Sequence, residues 1–175
     1  MAKKAKAKKK APVQKAKKVQ PIPAGYHAVT AYLSIKGAAQ AIDFYKRAFE
    51  AKELLRMPGP DGKVGHAELM IGDSHVMLAD ESPDMGFLAP QTRGGTTVQL
   101  HLYVRDVDAT VAKAVAAGGK LTRAVEDKFY GDRAGTIEDP YGHVWYVATH
   151  KEEVPPKEIK RRMDEMMKKM AAAGS

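Results

Sequence analysis

The order of elements along this chain repeats at an offset of 69 residues. Ala38 to Phe49 carries Ala38, Ala41, Ile42, Tyr45 and Phe49 at helical spacing. Val107 to Ala117 carries a second helical pattern, stopped by Gly118-Gly119. Each helix follows a stretch rich in β-formers, His27 to Ile35 and Thr97 to Val104. Each also precedes three strands. In the first half these are Glu53 to Met57, Val64 to Ile71 and His75 to Asp80; in the second, Lys120 to Ala124, Ala134 to Glu138 and His143 to His150. Pro58 to Gly62, Gly72-Asp73-Ser74 and Asp139-Pro140-Tyr141-Gly142 supply the turns. Aligning Ile42 with Val111 places Thr30 on Gln99, Tyr32 on His101 and Ile35 on Val104. Two copies of strand–helix–three strands make an α+β fold of two βαβββ modules, because one supersecondary unit repeated must pack against its own copy. The expected boundaries are 21–80 for the first module, 81–96 for a Pro- and Gly-bearing connector and 97–150 for the second.

Charge separates the ends from this body. Residues 1–20 hold nine lysines and no acid, so removing them from the net +8 leaves −1 for the rest. The body therefore carries no electrostatic footprint for nucleic acid. The tail reads as disordered, since it has no aromatic residue and too little apolar surface to offset its ordering entropy. Its roles are solubilisation, or weak salt-sensitive contact with nucleic acid or an anionic surface. The chain has no cysteine, which excludes disulfides, thiolate metal sites and a cysteine nucleophile. No apolar run approaches a membrane span, and no apolar segment of the signal-peptide kind follows the N-terminal lysines. A cytoplasmic location is the expectation.

Residues 151–175 read as a C-terminal amphipathic helix beyond Pro155-Pro156. Ile159, Met163, Met166, Met167 and Met170 fall on one stripe. The expected use of that stripe is packing on the chain's own sheet; the alternative is self-association through adaptable methionines.

Several stretches resemble the vicinal oxygen chelate superfamily, which includes glyoxalase I, bleomycin-resistance proteins and extradiol dioxygenases, and in particular its PhnB-like branch. They are the helix Ala41-Ile42-Asp43-Phe44-Tyr45-Lys46-Arg47-Ala48-Phe49, His66-Ala67-Glu68-Leu69, Phe129-Tyr130-Gly131-Asp132-Arg133, Asp139-Pro140-Tyr141-Gly142-His143, Ala148-Thr149-His150 and Ile159-Lys160-Arg161-Arg162. Glu50 departs from the branch, which usually closes this helix with Gly. The resemblance implies paired, cupped mixed sheets with helices outside, and a homodimer in which exchange of modules is a variant. It also implies a divalent-metal site with two His or Glu ligands from each half. The matching positions here are Thr30, Leu78, Gln99 and Tyr146, none of which is a good ligand. The expectation is that the family metal site is absent and that no cofactor is assigned.

Strand alternation then fills the cup with Thr30, Tyr32, His66, Glu68, Gln99, His101, Tyr103 and Tyr146. That polar, aromatic wall suits a small polar organic ligand. His101 is the candidate general acid or base. Arg133 reads either as a clamp on an anionic group or as part of an Asp–Arg pair that fixes its loop. Tyr130 either lids the cup or packs under the loop. His66, Glu68 and His101 are the right types for a displaced metal site. His75, His143 and His150 read as exposed or capping residues. Three functions follow: a metal-independent binder of a small molecule, a lyase or isomerase using His101, and an interaction protein acting through the basic tail or the C-terminal helix.

Overall fold

The computed structural model describes residues 19–173. The disorder expected for the N-terminal tail lies, for residues 1–18, outside the described residues. In the first module β1 (Ala31–Ile35) leads to helix α1 (Ala38–Phe49), then β2 (Lys52–Pro58), β3 (Val64–Ile71) and β4 (Ser74–Asp80). A connector with the short helical turn α2 (Pro90–Arg93) follows. The second module comprises β5 (Gln99–Tyr103), α3 (Val107–Ala116), β6 (Lys120–Asp127), β7 (Asp132–Glu138) and β8 (Val144–His150). Helix α4 (Pro156–Ala173) ends the described chain.

The two sheets are ordered β1-β4-β3-β2 and β5-β8-β7-β6. In each, the first strand runs parallel to the last and the other pairings are antiparallel. The offset found in the sequence is the offset of the register: Ala31 pairs with Val76 as Leu100 pairs with Trp145. Leu33, Ile35, Leu69 and Leu78 turn one face of the first sheet to helix α1, and Ile137, Trp145 and Val147 turn the matching face of the second to the helices. The opposite faces are the cup faces.

Helix α1 serves both modules. Its expected stripe is buried, and so are Phe44 and Ala48 beside it. The wider buried arc has a cause in the other module. Tyr45 and Phe49 pack on Trp145 of β8 with ring centroids 5.5 and 4.7 Å apart, and Phe44 meets Tyr141. A single core therefore crosses the module boundary. Each large apolar side chain fully buried there contributes roughly 1.5–3 kcal/mol.

Polar side chains finish the elements. Asp80 at the end of β4 accepts from the Gly37 and Ala38 amides through Oδ1 and from the Val64 amide through Oδ2. Asp106 caps α3 by accepting from the Ala109 amide at 2.9 Å. The loop left between the expected strands, from Ala124 to Ala134, is shorter in the structure. β6 runs on to Asp127 and β7 begins at Asp132, leaving a tight turn closed by Gly131 at φ 103°.

The C-terminal helix departs from its expected packing. Only Val154, Glu158, Ile159 and Arg162 are even half-buried near its start, and residues 163–170 are all exposed. Its methionine stripe does not lie on the chain's own sheet, because the anchoring contacts end at Arg162. No helix among the described residues is long and apolar enough to cross a membrane.

Candidate functional site

The cup faces carry two polar networks, one per module. On the first sheet Tyr32, His66 and Glu68 project from β1 and β3 beside Met77 of β4, since Tyr32 and Glu68 both pair with Met77 in register. The Glu68 carboxylate accepts from the Tyr26 hydroxyl and sits 3.2 Å from His66 Nε2. A carboxylate only accepts, so Nε2 carries the proton in the neutral ring, and Nδ1 accepts from the Tyr32 hydroxyl at 3.0 Å. These donors, Tyr26 foremost, lower the pKa of Glu68. Phe87 from the connector packs edge-on to Tyr32, and His75 stacks on Tyr26 at 3.9 Å.

On the second sheet His101 lies between two tyrosines. It stacks beside Tyr103 at 4.6 Å and meets Tyr146 edge-on at 4.9 Å. The Tyr103 hydroxyl donates to Asp132 Oδ2 at 3.0 Å, which raises the pKa of the phenol. Asp132 is only 4% exposed, and its other oxygen is 2.7 Å from His150 Nδ1. His150 Nε2 is 3.2 Å from Glu153. Two carboxylates favour the doubly protonated ring, Asp132 most strongly, and the pKa of His150 is raised. The Tyr130 and Tyr146 hydroxyls share one hydrogen bond of 2.6 Å, which leaves one of their two protons for a further acceptor. The buried Thr136 hydroxyl, opposite Tyr146 in register, has no partner among the described residues.

These placements change several expectations. The single cavity expected from alternation is two networks, because among the described residues no hydrogen bond or ring contact of the set links one module to the other. Thr30 and His101 do meet at one place, a cleft of about 180 Å³ at the seam between modules that His27, His75, Leu100 and Trp145 also line. Gln99 is exposed, opposite Val144. Arg133 does not reach the cup. It points to the helix side, where Asp108 at the start of α3 accepts from Nε at 2.7 Å and from Nη2 at 2.8 Å. Asp127 takes a third bond at 3.3 Å. Its clamp reading fails for want of position, and the pairing that fixes its loop is with Asp108 and Asp127, not with neighbouring Asp132. Tyr130 reaches the cup from the turn below Arg133.

Leu78 was the wrong residue for the last-strand position. It is fully buried on the helix side, while Met77 stands where Tyr146 stands in the second module. The offset of 69 itself links 77 to 146. Thr30, Met77, Gln99 and Tyr146 form a neutral donor set that fits a hard divalent ion poorly. His66 and Glu68 pair, but His101 belongs to the other network, and among the described residues no three His, Asp or Glu gather to hold a metal. The residues present therefore do not fit the family metal.

Tyr26, His75, Phe87, Asp132 and His150 belong to the networks and were missed. His150 and Asp132 were within reach of the sequence, since His150 shares parity with Val144, Tyr146 and Ala148 along β8 and pairs with Asp132. Tyr26 and Phe87 lie outside the strands of the sheets, where alternation gives no signal. His143 is neither exposed nor a ligand: it is buried and hydrogen-bonds the Ser34 carbonyl across the module boundary at 3.2 Å.

With this geometry in place, the comparisons with known proteins are decisive about family. Residues 27–147 match the model of the Glyoxalase/Bleomycin resistance protein/Dioxygenase superfamily. The chain belongs to that superfamily. It is 43% identical over 150 residues to an uncharacterised protein of Mycobacterium tuberculosis, Rv0887c, with 84% of each chain covered. Among solved structures it resembles TioX from Micromonospora sp. ML1, at 29% identity and a TM-score of 0.57, covering 69% of this chain and 96% of TioX. A PhnB protein from Bacillus cereus shares the superfamily fold at 16% identity and a TM-score of 0.56, covering 70% of this chain and 99% of that one.

Proposed function

We propose that this superfamily member binds a small, polar, ring-bearing organic molecule on the cup face of its second module, without the usual metal. The observation that carries this reading is the ring wall made by exposed His101 and Tyr103 with half-buried Tyr146. Tyr103 remains 58% exposed although its hydroxyl is held by Asp132. Side chains fixed by their neighbours but open to solvent offer π faces and hydrogen bonds with little further loss of entropy. Tyr130 and Gln99 supply polar contacts around the wall. The first-module network of Tyr32, His66 and Glu68, with Thr30 nearby, is a second polar face for a ligand that reaches across the seam.

The test is a calorimetric and thermal-shift screen of aromatic and heteroaromatic carboxylates, amides and phenols. For any hit, Tyr146→Phe weakens binding by about fivefold, the worth of one hydrogen bond of roughly 1 kcal/mol. His101→Ala weakens it by on the order of tenfold or more. Equal affinity in both variants would place the ligand elsewhere.

One observation favours a catalytic reading, in which a lyase or isomerase uses His101 to move a proton. The buried Asp132 carboxylate orients His150 and raises its pKa within the same network, an arrangement that also serves acid–base chemistry. Turnover of a bound hit, lost in His101→Ala while His101→Gln still binds, would establish it. We place the protein in the cytoplasm as a homodimer. The dimer rests on exposed apolar side chains of β2, Leu54, Leu55 and Met57. Light scattering that returns a monomer mass would remove it.

A further inference from the structure

Helix α4 and the N-terminal lysines point to an activity outside the cups. We infer that α4 lies on the surface of a bilayer containing anionic lipid, with its methionine face in the headgroup boundary. At 3.6 residues per turn Ile159, Met163, Met166 and Met170 share a stripe, Met167 broadens it, and Lys160 and Lys169 stand at its two borders. Ile159 is half-buried on the body, whereas Met163, Met166, Met167 and Met170 are exposed by 37–64%. The helix base is fixed: Arg162 makes two bonds of 2.8 Å to Glu152 and another to Glu158, and its Nη1 faces the Phe129 carbonyl. Beyond Arg162, among the described residues, Glu165 makes its ion pair with Arg161, inside α4 itself. A fixed base thus carries a half-helix whose methionine face is exposed and bordered by Lys169.

Charge selects the occupant. Residues 156–173 hold six Lys or Arg against three Asp or Glu, and residues 1–20 add nine lysines without an acid. The stretch between them, 21–155, holds 14 Lys or Arg against 18 Asp or Glu. Both ends are cationic and the body is acidic, so an anionic surface attracts the ends and repels the body. A nucleic acid would satisfy the lysines and leave the methionine face in water. An anionic bilayer satisfies both, because lysine stems extend along the apolar face while their ammonium groups stay among the headgroups. Each lysine near such a surface adds attraction that salt screens.

The experiment is co-sedimentation of the full chain with vesicles of phosphatidylcholine alone, or of phosphatidylcholine and phosphatidylglycerol in equal parts, at low and at high salt. The wild type should pellet with the anionic vesicles at low salt and stay in solution with the neutral ones. The triple variant Met163→Gln, Met166→Gln and Met170→Gln should lose about tenfold in partitioning. Its thermal midpoint should be unchanged, because these side chains are exposed on the helix. Lys168→Glu with Lys169→Glu should lose a similar amount. Three outcomes would overturn the inference. One is no binding to anionic vesicles. Another is equal binding by the triple variant, which would leave the N-terminal lysines acting alone. The third is a triple variant that turns a dimer into a monomer in light scattering without altering vesicle binding, which would assign the stripe to a second copy.

Discussion

Glu50 closes helix α1 in the left-handed region, at φ 55° and ψ 32°. The branch this sequence resembles usually has Gly there, and the structure gives the reason, since only Gly enters that region without a steric penalty. The Glu50 carboxylate compensates in part by accepting from Lys113 Nζ of α3 at 2.7 Å, and that bond lowers its pKa. The pair is largely exposed, so its contribution is small. Glu50→Gly should therefore stabilise the fold by about 0.5–1 kcal/mol, read as a higher urea midpoint; a lower midpoint would show that the Lys113 pair matters more than the backbone. Asp139 is the opposite case. It is 3% exposed and accepts from Tyr45 Oη, Trp145 Nε1 and the Tyr141 and His143 amides. Asp139→Ala strands four donors at the module boundary and should destabilise by on the order of 3 kcal/mol or more in chemical denaturation. The sequence showed Asp139 as the first residue of a turn. It could not show that a tyrosine 94 residues earlier donates to it, because that bond exists only once α1 crosses onto the second sheet.

At the scale of elements, the hairpin turn between β6 and β7 ties the second cup to the C-terminal helix. The Gly131 carbonyl accepts from both the Lys151 and Glu152 amides, and a Cβ on Gly131 would lie 2.1 Å from the Glu152 carbonyl. Positive φ and this close approach both exclude a side chain. Gly131→Ala should cost about 2 kcal/mol or more and loosen Tyr130, so ligand affinity at the second cup falls together with thermal stability. An unchanged thermal midpoint would mean that the strap from β8 to α4 adapts. The order of elements along the chain, the two helices and the cup parity of His101, Tyr103 and Tyr146 were legible in hydrophobic periodicity and alternation. Legibility failed where side chains act across elements. Arg133 sits in an aromatic, acidic loop by sequence, yet the side it faces depends on the true start of β7 at Asp132. The methionine stripe of α4 reads as core, because periodicity reports amphipathicity and not what covers it.

For the whole molecule, the seam between modules sets the response to pH. His143 is buried beside Asp139, and burial lowers its pKa despite the opposing carboxylate. The unfolded chain binds a proton at this residue below about pH 6.5, while the folded chain resists it. The stabilisation is therefore complete above that pH and is lost progressively as pH falls toward the depressed folded value. His150 acts with the opposite sign. Asp132 raises its pKa, so its contribution is complete below about pH 6.5 and is lost as pH rises through the folded value. The two differ in surroundings: His150 is exposed and its pairs are screened, whereas His143 bonds the Ser34 carbonyl inside the seam. The buried residue should dominate, and the wild-type thermal midpoint should fall from about pH 7 to pH 5, before most carboxylates titrate. His143→Gln can keep a donor toward Ser34 without a titrating ring. It should flatten that slope at some loss of stability at neutral pH, whereas His150→Gln should leave the slope in place or steepen it. A slope unchanged in His143→Gln would move the acid sensitivity away from the seam and onto the surface ion pairs, where added salt would abolish it.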